Sequence, residues 1–220
     1  MSLTSMRDIF FLIFIAGLGL SSDGRQTRDI YPAAGDARRI YPGEIVTGTH
    51  DAPVTLIAYI NYDCAYCAVF EREVLPALKN NFVDKGMLRL VHRVFPMSND
   101  LAGDSFLKSE FALCSAEVDR FSNASDILFN RQQEDFWKHY EQWANASGIE
   151  AAQDIKSCVA FHKARHAVIL TQQRYASHDV HVTPTVFING YKIEGLRSYA
   201  EYEAAIMQER PSGSMAERGR

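Results

Sequence analysis

The sequence predicts an α/β fold, in which a mixed β-sheet is flanked by helices and an all-helical subdomain is inserted. Three observations support this prediction. Two strand patterns, at 54–60 and 87–95, enclose a helical pattern. A β-hairpin pattern follows at 185–193, and the chain between these parts, from about 104 to 178, is helical throughout. A parallel β-α-β unit and an antiparallel hairpin can share one sheet, so the helices between them form an insertion.

The composition is that of one folded domain. Of the 220 residues, 47% are hydrophobic, which is enough to bury one core together with a sizeable insertion. The formal net charge is -4 and no long basic run occurs, so we expect no nucleic-acid partner.

The first 22 residues are typical of a secretory signal peptide. Arg7 precedes an apolar run from Ile9 to Leu20, and small polar residues follow it. This run is shorter than the roughly 20 apolar residues that cross a bilayer comfortably. We therefore expect export into an oxidising compartment, with an uncleaved membrane anchor as the alternative.

The first half of the domain alternates between strand and helix signals. Residues 23–50 are rich in Gly, Pro, Asp and Arg, which predicts a linker or extended arm, and the domain is expected to span 51–210. The apolar run at 54–60 is typical of a buried central strand. Apolar residues four apart predict a helix from about Cys64 to Asp84, with a kink at Pro76.

The second half closes the sheet. Residues 87–95 alternate between apolar and charged side chains, as a strand does. In the hairpin, Asn189-Gly190 supplies the positive φ angles of a tight type I′ turn. Ser198 and Glu201 form a capping box for a last helix. The polar tail, 211–220, is expected to be disordered.

The pair Cys64-Ala65-Tyr66-Cys67 lies where the buried strand gives way to the helix. A spacing of three residues brings the two sulfurs together on a helix, so they can form and break a disulfide. Cys64 faces unpaired backbone N–H groups and the positive end of the helix dipole, which lower the pKa of its thiol. Because a thiolate is the attacking species in disulfide exchange, Cys64 is predicted to attack and Cys67 to resolve.

Two other interpretations of the cysteine pair remain open. It could be half of a zinc site, but that needs two more ligands, and neither Cys114 nor Cys158 has a cysteine close to it in sequence. Cys158, His162 and His166 are four apart and would share a helix face, without an evident fourth ligand. We expect no metal. The pair could also be an inert structural disulfide, for which a strand-to-helix junction is a poor location.

Two motifs together resemble the DsbA-like family of the thioredoxin superfamily. The first is Cys64-Ala65-Tyr66-Cys67, and the second runs from Val182 through Thr183-Pro184 to Gly190. The resemblance covers about 48–208 and includes the helical insertion. It is closest to bacterial periplasmic members with Thr before the proline. It implies a thioredoxin-like fold and a periplasmic location.

The resemblance also implies that Pro184 is cis and lies beside the two cysteines. There the backbone of Thr183, with Pro184, Ala65 and Tyr66, would bind an extended substrate. Proline lowers the cost of a cis bond to roughly 0.5–1 kcal/mol and has no N–H to compete beside the thiolate. The alternative is a trans proline that opens an edge strand.

Cys114 and Cys158 both fall in the helical block. A pair left over in an oxidising compartment is more often joined than free, and some DsbA-like proteins carry a second disulfide in this insertion. We therefore expect a structural disulfide, with two buried free thiols as the alternative.

One position departs from the family. Proteins of this type commonly have a buried acid six residues before the first active-site cysteine, where this chain has Ala58. A carboxylate near the sulfurs would raise the pKa of the thiols by like-charge repulsion. Its absence predicts a stable Cys64 thiolate at neutral pH and an oxidising disulfide. Tyr66, which carries less positive charge than a histidine would, moderates this expectation.

The sequence therefore predicts a protein disulfide oxidoreductase, most simply an oxidase of exported proteins. The only redox group expected is the Cys64–Cys67 disulfide, without a further cofactor. The expected partners are unfolded or partly folded exported proteins and a redox partner that resets the site, and the chain is expected to be a monomer. The alternatives are a disulfide isomerase or reductase, a glutathione-dependent small-molecule enzyme, or a non-catalytic peptide-binding chaperone on the same fold.

Overall fold

The structure is a computed structural model that describes residues 39–41, 43–150, 152–176 and 180–210. The predicted signal peptide, 1–22, and the predicted tail, 211–220, lie outside these residues.

The described residues form a mixed five-stranded sheet, which confirms the predicted fold class. The strand order is β1-β3-β2-β4-β5. β2 and β3 are parallel, and the other neighbours are antiparallel. The strands are β1 (Ile45–Thr47), β2 (Val54–Ile60), β3 (Leu88–Val94), β4 (Thr185–Ile188) and β5 (Tyr191–Glu194).

Strand β1 corrects the prediction that 23–50 is only a linker or arm. It pairs antiparallel with β3 and lies ahead of the expected domain start at residue 51. An ion pair reinforces the attachment: Arg93, only 2% exposed, contacts Glu44 through Nε–Oε1 at 2.6 Å and Nη2–Oε2 at 2.9 Å. Gly48 follows β1 at φ +104°, and a Cβ there would lie 2.8 Å from the carbonyl oxygen of Leu88. A three-residue strand held by such distant partners leaves no periodic signal in sequence.

The helix after β2 is continuous but not uniformly α-helical. Its parts are α1 (Ala65–Val69), a π-helical segment (Phe70–Val74), α2 (Leu75–Leu78) and a second π-helical segment (Lys79–Val83). Pro76 lies in the first turn of α2. Proline has no N–H to donate, and its ring crowds the preceding turn of the helix. We therefore expect Pro76 to distort that turn, which is where the first π-helical segment lies.

The insertion consists of helices, as predicted, within the residues described between 104 and 176. They are α3 (Asp104–Ala116), α4 (Phe121–Asn130), α5 (Phe136–Ala146), α6 (Ala152–Ala160) and α7 (Arg165–Ala176). A last helix, α8 (Tyr199–Gln208), follows the hairpin. Every helix in the described part of the chain is too short or too polar to span a bilayer.

The sheet separates two hydrophobic clusters. On one face Leu56, Ala58 and Ile60 share a core with Cys67 and with the insertion. On the other face Ile57 and Tyr59 pack with a smaller cluster from β3, β4 and their flanking loops. Alternate residues of a strand point to opposite faces, so β2 is covered on both sides, as its continuous apolar run predicts. The insertion therefore lies on the same face as the cysteine pair.

Two local predictions are confirmed by backbone geometry. Asn189 and Gly190 have φ angles of 46° and 96°, as a type I′ turn requires. Ser198 and Glu201 form a reciprocal capping box at the start of α8.

Candidate active site

Cys64 occupies the N-cap of α1, four residues after β2 ends. Its Sγ accepts a hydrogen bond from the backbone N–H of Cys67 at 3.4 Å. Both cysteines have free thiols, Cys64 being partly exposed and Cys67 fully buried. The exposed sulfur can therefore meet a protein substrate, whereas the buried one can reach only its neighbour.

The surroundings of Cys64 favour its thiolate and lower its pKa to about 5. The largest contribution is a hydrogen bond from the thiol of Cys67. Partial burial raises the pKa of Cys64 and so opposes this hydrogen bond. Hydrogen bonds from the Thr183 side chain and from the backbone N–H groups of Cys67 and Tyr66 lower the pKa further. All of these donors gain strength when the sulfur is charged, so they stabilise the thiolate at neutral pH.

Cys67 is shifted in the opposite direction. Burial raises the pKa of its thiol well above the usual range, and the hydrogen bond that it donates to Cys64 raises it further. The backbone N–H of Asn61, which lies 3.5 Å from the Cys67 sulfur, opposes the shift without overcoming it. The reduced site therefore holds one thiolate, on Cys64, and one thiol, on Cys67.

The loop before β4 lies against the reactive sulfur. The Thr183–Pro184 peptide bond is cis, and the Cys64 Sγ lies 3.1 Å from the Thr183 carbonyl oxygen. Pro184 is buried, whereas Thr183 is partly exposed. Ala65 and Tyr66 of the cysteine motif are exposed, Tyr66 by 65%, and Val182 by 45%. The structure thus brings together Cys64, Cys67 and the four residues predicted to bind substrate.

Three residues of the insertion that sequence analysis did not single out hold the loop in front of Cys64. Lys108 on α3 donates to the Asp63 carboxylate at 2.8 Å. The Gln132 side chain donates to the carbonyl oxygens of Tyr62 at 2.6 Å and Cys64 at 3.0 Å. The Ser105 hydroxyl donates to Asn61 Oδ1 at 2.8 Å. Lys108 lies in a predicted helix, but its burial is seen only in the structure, so no clear signal in the sequence marks these three residues.

Cys114 and Cys158 are joined by a disulfide that links α3 to α6. Glu110, four residues before Cys114 on α3, is fully buried. Its carboxylate contacts His162 Nδ1 at 3.0 Å and Arg165 Nε at 2.6 Å, both of which follow Cys158 in the chain. Because Cys158 is bonded to Cys114, it is not available as a thiolate ligand with His162 and His166. No cluster of three metal-ligand side chains occurs among the residues that the structure describes.

Ala58 is completely buried in the middle of β2. Its sheet neighbours are His92 on β3 and Val186 on β4, and it shares its cluster with Cys67. The position that carries an acid in the resembling family thus lies on the sheet face that packs against the cysteine helix, and here it has no charge.

Replacing Ala58 by Glu is expected to raise the pKa of Cys64 relative to an Ala58→Gln control. A carboxylate on this face would repel the thiolate, whereas the amide fills the same space without charge. The measurement is thiolate absorbance against pH in both variants, with circular dichroism to verify that each is folded. Equal pKa values in the two variants would show that the charge at this position does not reach the sulfur.

A mixed sheet that carries a cysteine pair at a strand-to-helix junction, opposite a cis proline, defines a thioredoxin-fold redox protein. The comparison with family models agrees, since the family described as Thioredoxin matches residues 41–208. The chain belongs to this family. The match begins ahead of β1, consistent with a domain that starts before residue 51.

Several of the similar proteins carry names from disulfide chemistry. A Rickettsia typhi protein named for protein-disulfide oxidoreductase activity is 23% identical over 71% of this chain and 58% of its own length. Disulfide bond formation protein D of Bacillus subtilis is 25% identical over 76% of this chain and 77% of its own. The chain thus spans about three fifths of the Rickettsia relatives it matches.

The fold has a clear counterpart among solved structures. The crystal structure of α-DsbA1 from Wolbachia pipientis superposes with a TM-score of 0.67. The sequences are 18% identical, and the match covers 79% of this chain and 95% of the other. This confirms the predicted DsbA-like form of the thioredoxin fold, with its helical insertion.

Proposed function

We propose that this protein is a thiol–disulfide oxidoreductase that introduces disulfides into exported proteins through Cys64 and Cys67. The observation that carries the proposal is the unequal state of the two thiols. Cys64 is an accessible thiolate with a pKa of about 5, and Cys67 is a buried thiol whose pKa is raised.

The chemistry proceeds in two exchanges. A substrate thiolate attacks Sγ of Cys64 in the oxidised pair, the Cys64–Cys67 bond breaks, and Cys67 leaves with the electron pair and takes up a proton. A second substrate thiolate then attacks the substrate sulfur of the mixed disulfide, and Cys64 leaves as a thiolate. The substrate dithiol has become a disulfide, and the protein disulfide has become a dithiol.

The low pKa of Cys64 supports the oxidising direction. A thiolate that is stable in the folded protein stabilises the reduced form, so the disulfide tends to accept electrons. The same thiolate is a good leaving group in the second exchange. An isomerase or reductase would use the same two cysteines, but with a different equilibrium between disulfide and dithiol. A peptide-binding chaperone would not need thiols with shifted pKa values.

The surface around Cys64 suits an extended protein segment. Thr183 presents backbone beside the reactive sulfur, and the exposed Tyr66 and Val182 offer apolar contact. An extended chain can pair with such backbone as an added strand. The proposed substrates are therefore unfolded or partly folded proteins, and a separate redox partner must reoxidise the dithiol.

The names of the Rickettsia typhi and Bacillus subtilis relatives support a role in disulfide bond formation. The signal-like residues 1–22 support a periplasmic location. We further propose that the protein acts as a monomer and needs no cofactor beyond its own disulfide.

The test is equilibration of the Cys64–Cys67 couple with glutathione, together with oxidation of a reduced, unfolded protein. We expect stoichiometric oxidation of the substrate and a potential nearer to about −120 mV, as in strong oxidants, than to about −270 mV, as in thioredoxin. A potential at the thioredoxin end would instead support a reductase, and no exchange at all would favour the chaperone.

A further inference from the structure

Lys108 is a buried lysine of the insertion, and it lies next to the redox site. Its side chain is only 1% exposed, an unusual place for an ammonium group, which loses hydration when it is buried. A buried cation persists where its partners compensate for that loss, so its contacts show what holds it there.

The ammonium group of Lys108 makes two close contacts with the active-site region. Nζ lies 2.8 Å from Oδ1 of Asp63 and 2.7 Å from the carbonyl oxygen of Gln132. Asp63 directly precedes Cys64, and Gln132 in turn holds the Cys64 carbonyl. Lys108 is thus connected to Cys64 in two ways: through its ion pair with the preceding residue, Asp63, and through hydrogen bonds that run by way of Gln132 to the Cys64 carbonyl.

The charge of Asp63 matters because it adjoins a thiolate. A carboxylate near a thiolate disfavours the charged sulfur, and a nearby cation favours it. Asp63 is 38% exposed, so water screens it only in part, whereas Lys108 is shielded from water. The pair as a whole is neutral, and Cys64 then experiences the hydrogen-bond donors around it without a net opposing charge.

We propose that Lys108 is a positioning residue of the redox site, which neutralises Asp63 and thereby keeps the disulfide of Cys64 and Cys67 oxidising. This rests on the proposed function, and it assigns to the helical insertion a part in setting the redox balance. Lys108 acts through Asp63 and Gln132 and does not itself contact the sulfur.

The test compares the full-length protein with Lys108→Met, Asp63→Asn and the double variant. Lys108→Met should raise the pKa of Cys64 by about one unit and shift the glutathione equilibrium about tenfold toward the protein disulfide. Asp63→Asn should move both quantities in the opposite direction. The double variant, which is again neutral, should return close to the original values.

A charge effect predicts pKa shifts of opposite sign in the two single variants and a return to the original pKa in the double variant. A purely structural effect predicts neither. If Lys108 only holds the loop, Lys108→Met and the double variant will show the same shift, and the inference is overturned. Among the described residues, the titratable residues that contact Cys64 are Cys67, through its thiol and backbone, and Tyr66, through its backbone N–H, and both are identical in all four proteins.

A matched control is Glu110→Gln, which removes a fully buried charge two residues away on α3. Positions 108 and 110 point to opposite sides of a helix, so this change should leave the pKa of Cys64 unaltered. If Lys108→Met does not fold, Lys108→Arg keeps the charge and should keep the pKa, while Asp63→Asn alone still tests the sign.

The proposed function can fail separately. If the unaltered protein does not oxidise a reduced protein, the proposed function is wrong, whatever the variants do. If it does oxidise the substrate but the two single variants shift the pKa of Cys64 in the same direction, only the inference about Lys108 is wrong.

Discussion

Replacing Cys64 by serine is expected to abolish disulfide exchange with a reduced, unfolded protein, whereas replacing Cys67 by serine is expected to trap mixed disulfides. Cys64 is the accessible thiolate and Cys67 the buried thiol. Without Cys64 no cysteine sulfur can be reached from outside, because Cys67, Cys114 and Cys158 are all buried. Without Cys67 the attack still occurs, but the intermediate cannot be resolved. Gel electrophoresis without reductant measures both results.

The pH dependence of alkylation tests the same assignment independently. Because the pKa of Cys64 is lowered to about 5, its thiolate persists above that pH, and labelling should slow only as the pH falls below it. Cys67, whose pKa is raised, should stay unlabelled in the folded protein at mildly acidic pH. Faster labelling of Cys67 than of Cys64 under these conditions would reverse the proposed roles.

Removing the disulfide between Cys114 and Cys158 is expected to lower the free energy of unfolding by about 4 kcal/mol, on the chain-entropy model. The two cysteines are 44 positions apart, so the bond restricts a long loop of the unfolded chain. Both are buried, and both belong to the core that includes Cys67. Urea denaturation of the Cys114→Ala/Cys158→Ala variant measures the loss.

The control for this measurement is a protein in which the active-site cysteines have been replaced. In a Cys64→Ser/Cys67→Ser protein the insertion disulfide is the one disulfide that remains, so reductant should destabilise that protein by a similar amount. The same reductant should have no effect once Cys114 and Cys158 are also replaced. If peptide mapping of protein from its native compartment finds both thiols free, the structural role proposed for this bond is contradicted.

The strands and turns with strong local patterns were predictable. The continuous apolar run of β2 and the Asn189-Gly190 turn need only a few neighbouring residues to be recognised. The junction that places Cys64 at a helix N-cap follows from the order of these same segments. The chemistry of the cysteine pair could therefore be inferred before any contact was known.

Other features have no local pattern. The strand β1 is three residues long and depends on pairing with β3 and on the contact between Glu44 and Arg93. The π-helical segments on either side of Pro76's helix are adjustments of a long helix that a regular period does not reveal. Each required knowledge of what the segment packs against.

By itself, the sequence determined the fold class, the position of Cys64 and Cys67 at the start of a helix, and the residues of the proline loop. The first two follow from periodicity and turn chemistry, which act over short windows and can be recognised without coordinates. The role of the proline loop was implied by the resemblance to the DsbA-like family. Only the tertiary structure decided which distant side chains surround those cysteines. Lys108 meets Asp63 across 45 residues because α3 packs beside the redox site, and such a meeting is set by packing between segments.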